Sequence, residues 1–381
     1  MRPGGQYLTF APQARPGRAY LAAFDPSDRL QRGEEIYYRD WLETGNAVGP
    51  GFDHTSCNGC HLETAIQGPA HAQTLIAQPA SESGRYWYGA QISTHVVNED
   101  DAEAIVRVTQ NTQPIAFADG SRQQLSWQTG SVITNDGHDE PVKFRVAPLL
   151  FGWGLIEQTD PEYIVHFNDP DDRNADGISG RMGTKHGKWA FLGWKNTQTS
   201  LRTQIGAALH NDIGISNDTT CGDNCTPEIE PHELDALTEY VRHLGVPDRR
   251  TDFEMRGQNL FGFANCTGCH VPVILTKATT DLPFAQQLLW PFTDLMLHDM
   301  GHGLADPGEH TEAREWRTAP LWGLGVIEAR YPRRGFLHDG RADSIEEAIL
   351  WHGGEAAASR DYYLALSLAD RNALLAFVRS L

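Results

Sequence analysis

The sequence predicts a mainly α-helical chain built as two tandem copies of one unit, and three observations predict it. A five-residue cysteine and histidine motif occurs twice, the elements around each copy recur in the same order, and each half closes on an amphipathic helix. The motif copies are Cys57-Asn58-Gly59-Cys60-His61 and Cys266-Thr267-Gly268-Cys269-His270. With 6 Cys and 16 His in 381 residues, chance alone yields about 0.004 such matches. The repetition is therefore a property of the chain.

Both copies read C-x-x-C-H. Two thiols at this spacing add to the two vinyl groups of a haem, and the adjacent imidazole reaches the iron as proximal ligand. Cys57, Cys60 and His61 are thus expected to hold one covalent haem c, and Cys266, Cys269 and His270 a second. Zinc is the competing reading, because C-x-x-C is half of many zinc sites. It would call for a second ligand pair nearby, yet no further Cys lies within 150 residues after Cys60 or anywhere after Cys269. The remaining pair, Cys221 and Cys225, is read as a short disulfide, with a redox or metal pair as the alternative. Four haem cysteines and one disulfide leave no free thiol, which fits an oxidising compartment and points to the periplasm.

The other repeated elements follow in order. Arg32-Gly33-Glu34-Glu35-Ile36-Tyr37 and Arg256-Gly257-Gln258-Asn259-Leu260-Phe261 precede the two motifs. Phe144-Arg145-Val146-Ala147-Pro148-Leu149 is echoed by Trp316-Arg317-Thr318-Ala319-Pro320-Leu321, and Ile156-Glu157 by Ile327-Glu328. The closing helices carry Leu237, Tyr240, Val241 and Leu244 against Leu374, Phe377, Val378 and Leu381, at i, i+3, i+4 and i+7. Small Gly33 and Gly257 would let the first and last helix of each unit approach closely, as in the cytochrome c fold. Gly245-Val246-Pro247 ends the first unit. The expected division is an N-terminal extension over 1–27, a first cytochrome c-like domain over 28–246 and a second over 247–381.

The halves differ where chemistry is decided. His61 to Phe191 spans 130 positions and His270 to Phe336 only 66. The surplus, about 80–143, contains β-branched and alternating stretches and reads as an inserted β subdomain over the first haem. A haem with two protein ligands moves electrons, whereas one without a sixth ligand binds peroxide or oxygen. Met300, 20 residues before Pro320, is the expected sixth ligand of the second haem, with His298 and His302 as competitors. The first half has no Met or His at the matching place, so its haem is read as the reactive one, open or held by a displaceable His95. Gln91 and His95, unique to the insertion, are candidate reactive-site residues, and Glu157 is a candidate acid-base group despite its repeat mate. Asp172, Asn174 and Asp176, followed by Gly177, match half of a calcium loop, the alternative being a solvated acidic turn.

These residues resemble the bacterial di-haem cytochrome c peroxidase superfamily, which includes the enzyme that matures methylamine dehydrogenase. The likeness is to its long di-haem oxidoreductase or thiol oxidoreductase-like branch. It is carried by Trp316 to Gly325, Leu337-His338-Asp339-Gly340-Arg341, Glu346 to Glu355, Phe144 to Glu157 and Asp169 to Arg173, and it spans roughly residues 28 to 381. It implies peroxide chemistry at the N-terminal haem, electron entry at the C-terminal one, a calcium ion between the domains and an intervening tryptophan, for which Trp194 is the candidate. The chain departs from the peroxidases in its insertion and in lacking a clear distal Glu motif.

Composition narrows the partners. Fifty Asp and Glu against 31 Lys and Arg give a formal charge of −19, which repels phosphate backbones and excludes nucleic acid. No apolar stretch approaches a membrane span, and Met1-Arg2-Pro3-Gly4 does not lead into a secretory signal core, so an exported chain without its signal is expected. A small basic redox protein is the expected electron donor or protein substrate, with hydrogen peroxide as the oxidant. The competing function is a pure electron-transfer di-haem cytochrome with both haems saturated.

Overall fold

The computed structural model describes residues 9–10, 28–42, 51–61, 75–80, 91–93, 95–96, 106–133, 137–222, 225–250, 255–278, 284–308, 311–331 and 335–381. Helix α1 (Asp28–Tyr38) is followed by four strands, β1 (Leu75–Pro79), β2 (Val106–Ala116), β3 (Arg122–Ile133) and β4 (Asp139–Val146). Helices α2 (Trp153–Glu157), α3 (Leu201–Ala208) and α4 (Pro231–Arg242) complete the first half. The second half carries α5 (Met255–Phe263), α6 (Leu324–Arg330), α7 (Ile345–Leu350) and α8 (Leu368–Ser380).

The expectation of a mainly α chain of two cytochrome c-like domains is overturned. Among the described residues a four-stranded antiparallel sheet, in the order β1-β4-β3-β2, stands beside five two-stranded ones. Strands β2 and β3 are 11 and 12 residues long and pair along their whole length from Val106↔Val132 to Ala116↔Arg122. Short pairs such as Leu297–Asp299 with Glu315–Arg317 carry no readable period, because two or three residues do not sample an alternation. They form where tertiary packing holds the backbones side by side.

Within this mixed fold two contacts recur in both halves. Helix α1 crosses α4 at Gly33, where a Cβ would lie 2.1 Å from the Ala236 carbonyl oxygen, and α5 crosses α8 at Gly257, 2.0 Å from that of Ala373. Any side chain would drive the helices apart. Gly152 N donates to Leu244 O at 2.9 Å, and Gly323 N donates to Leu381 O at 3.0 Å. Each bond ties the turn before α2 or α6 to the end of its closing helix.

The insertion packs differently from its sequence reading. The β2–β3 hairpin leans on the second half: Phe117 and Leu125 share a core with Phe261, Trp351 and Leu374. Ala118 N donates to Leu364 O, Asp119 pairs with Arg371 at 2.8 Å, and Trp127 meets Trp351 edge-on at 5.6 Å. The apolar residues near the hairpin tip find their burial there and not over the first motif.

Candidate functional site

Each C-x-x-C-H motif forms one tight turn, Cys57–Cys60 and Cys266–Gly268, and the histidine N–H that follows closes it on Cys57 O and Cys266 O. His61 Nδ1 lies 3.0 Å from Pro148 O, and His270 Nδ1 lies 2.9 Å from Phe292 O. A carbonyl acceptor fixes the proton on Nδ1, the arrangement that prepares Nε2 to bind a metal. Burial pushes the Cys57 and Cys266 thiols up to about 12. Neither is a ready thiolate.

A cavity of about 270 Å³ opens beside the second motif, lined by Cys266, Cys269 and His270 together with Pro148, Trp153 and Trp194 of the first half. Arg317 also lines it. Its guanidinium is buried and donates only to the carbonyl oxygens of Gly193 and Thr318, and burial lowers it to about 10. A buried cation without a carboxylate partner among the described residues suits an acidic ligand entering the cavity. The apolar walls, paired thiols, oriented imidazole and this guanidinium together fit a haem with its propionates.

Met300 and His298 both line this cavity. His298 is consumed, with Nε2 2.8 Å from Asp294 and Nδ1 2.9 Å from Glu355. Burial works against its charge, but these carboxylates and contact with Cys269 hold it well above its ordinary value. Cys269, Asp294 and His298 lie within metal-cluster reach of one another, but an imidazole bonded at both nitrogens offers no lone pair. His302 is exposed. Trp194 donates from Nε1 to Val146 O at 3.1 Å, and its carbonyl accepts from Arg317 N, so it stitches the two halves beside the cavity.

At the first motif the chain gathers residues far apart in sequence. Gln91 donates from Nε2 to Asp53 and, at 2.9 Å, to Asp212 Oδ1. Asp53 N and His54 N donate to the Asp212 carbonyl, and His95 pairs through its backbone with Phe52. Asp212 is half-buried near Cys57, whose thiol it helps to raise. Desolvation, aided by the like charge of Asp53 and opposed by the Gln91 hydrogen bond, pushes the Asp212 carboxyl up to about 7. Of the sequence candidates, Gln91 sits at this cluster. The His95 side chain lies outside the described residues.

Glu157 has a different job. Its Oε1 accepts from Leu201 N at 2.9 Å and its Oε2 from Arg242 at 2.8 Å. Glu328 accepts from Ile345 N and Arg379 in the same way, at 2.9 and 2.5 Å. Both carboxylates cap a helix and hold the closing helix. Asp172, Asn174 and Asp176 form an exposed turn closed by its own bonds, Asp176 N to Asp172 and to Asn174 at 3.0 Å. Cys221 and Cys225 form the disulfide, with Cα atoms 5.1 Å apart.

Sequence reasoning missed Asp212, Arg317 and His352. One signal was available for two of them. Ser200 and Ser344 cap the repeat-mate helices α3 and α7, and shortly beyond those helices lie Asp212 and His352.

Among the described residues no helix is long and apolar enough to cross a membrane. No curated protein and no solved structure gives a significant match to the chain. Residues 218–381, somewhat less than half of the chain, match the model of the family described as "Di-haem oxidoreductase, putative peroxidase".

Proposed function

We propose that this chain is a periplasmic c-type di-haem oxidoreductase that reduces hydrogen peroxide or uses it to oxidise a partner. In this reading the haem on Cys57, Cys60 and His61 is reactive, and the one on Cys266, Cys269 and His270 relays electrons. The observation that carries it is the half-buried Asp212 carboxyl, raised to about 7 beside the Cys57 turn. A group titrating near the working pH is suited both to take and to return a proton.

Each haem, when bound, supplies a redox-active iron. The protein supplies proton handling and position. Gln91 donates to Asp212 Oδ1, which leaves Oδ2 as the atom that takes a proton from peroxide and gives one back to the departing water. Reduction of one peroxide to two waters consumes two electrons and two protons, and two redox centres provide both electrons without releasing a radical. Trp194, between the halves, is the proposed stepping stone for those electrons. The formal charge of −19 favours a small basic redox protein as donor or substrate, with an encounter that weakens in salt. Calcium on Asp172, Asn174 and Asp176 belongs to the same proposal, supported by their alternate spacing and the left-handed Asp172 and Ala175.

The test is peroxide added to the haem-loaded protein with paramagnetic resonance detection. A high-spin signal should respond first, and the rate should follow a single ionisation near pH 7. Asp212→Asn should slow it about 100-fold and remove that ionisation. Two low-spin haems inert to peroxide, even after half-reduction, would establish electron transfer alone.

A further inference from the structure

We infer that the sixth ligand of the second haem is His352, which makes that haem a bis-imidazole centre. The inference rests on the reading of Cys266, Cys269 and His270 as a haem site. His352 sits just beyond α7 and lines the same cavity as His270 and the two cysteines. The rings of His270 and His352 have their centres 6.5 Å apart. Two imidazoles bound on opposite sides of one metal, each at a bond of about 2 Å, place their ring centres roughly 6 Å apart. The observed separation leaves room for one iron and little else.

The protonation pattern of the pair agrees. His352 Nδ1 lies 2.7 Å from Ala348 O, as His270 Nδ1 lies 2.9 Å from Phe292 O. Neither Nε2 makes a hydrogen bond among the described residues, so in each ring the lone pair is offered on the nitrogen that the carbonyl does not occupy. The charged groups around the pair are Asp294, His298 and Arg360.

The competitors are weaker on the same grounds. His298 spends both nitrogens on Asp294 and Glu355. His338 stacks on Trp316 at 3.6 Å. Met300 lines the cavity and packs against the core of the second half, and its backbone N donates to Arg314 O. The chemical consequence is a lowered potential, since replacing thioether by imidazole removes the ligand that favours ferrous iron.

The experiment uses the full haem-loaded chain and reads spectra, not turnover. The wild type should show no sulfur-to-iron charge-transfer band, and Met300→Leu should leave every haem signal unchanged. His352→Ala should convert one low-spin haem to high-spin. His352→Met should create the sulfur band and raise the midpoint of that haem alone, which keeps the idea testable if the alanine variant fails to fold. A sulfur band in the wild type that vanishes in Met300→Leu would overturn it, as would an unaltered low-spin spectrum in His352→Ala. Should Cys266→Ala and Cys269→Ala together leave haem stain and mass unchanged, the haem reading of this half fails first, and the ligand assignment falls with it.

Discussion

The Trp316 indole and the His338 imidazole stack with ring centres 3.6 Å apart and planes 13° from parallel. Lys195 and Arg145 lie over the same indole, at 3.4 and 4.9 Å from its centre. Burial first, then the charges of Arg145, Arg341 and Lys195, holds His338 well below its ordinary value. The folded state therefore refuses a proton that the unfolded chain accepts. Stability should fall as pH drops below about 6.5, the ordinary histidine value, by about 1.4 kcal/mol per unit for this group. His338→Phe keeps the stack and should flatten that slope. Urea denaturation of the haem-loaded protein between pH 7.5 and 5 measures it, and an unchanged slope would contradict the assignment.

Asp212 should act in the opposite sense. Its carboxyl, about 7 in the fold, binds a proton between roughly pH 4 and 7 that the unfolded chain has already released. Its contribution to stability therefore declines as pH rises through that window. Asp212→Asn keeps the acceptor for Gln91 and should be more stable than the wild type at pH 8, by on the order of a few kcal/mol. A variant that loses peroxide reactivity and gains melting temperature would have the profile of a site held for chemistry at the expense of stability. Equal melting curves at pH 8 would argue that Asp212 is not strained by its surroundings.

Glu157 and Glu328 should behave as twins. Glu157→Gln and Glu328→Gln each weaken one ion pair and one helix cap, and each should cost about 2 kcal/mol. Neither should change the pH dependence of the peroxide response. A specific kinetic defect in Glu157→Gln, absent from Glu328→Gln, would return that residue to the reactive site.

Chelation tests the acidic turn. If calcium is held by Asp172, Asn174 and Asp176, removing it should lower the melting temperature by several degrees, because a bound cation stabilises only the state that assembles its ligands. Metal analysis without calcium, with an unmoved melting curve in chelator, would leave a solvated turn.

The two C-x-x-C-H turns were legible because their residues lie within five positions of one another. So was the pairing of the glycine-bearing helices, since Gly33 and Gly257 recur at one place in a periodic pattern. The two- and three-residue strand pairings were not legible, because they are set by neighbours distant in sequence. Asp212 escaped for a similar reason. Nothing local distinguishes it from a surface aspartate, and only folding brings Asp53 and Gln91 against it. Glu157 and Glu328 share one pattern of partners, a helix N–H and the arginine of the closing helix, and that likeness follows from their repeated place in the sequence.

The β2–β3 hairpin has a consequence for how the molecule comes apart. It leaves the first half, sets Phe117 into the core of the second and is tied there by the Asp119–Arg371 pair, while Arg145 at the end of β4 holds Asp306 through two bonds of 2.8 and 2.7 Å. Tandem duplicates often remain modules that melt, or can be expressed, one at a time. Here one repeat has become part of its sister's interior, so a calorimetric trace should contain one endotherm where the duplication alone would suggest two. A gene split between the repeats would yield one piece with an open core and another with an apolar arm to hide. With that arm in place, folding and turnover must treat the two halves as one object.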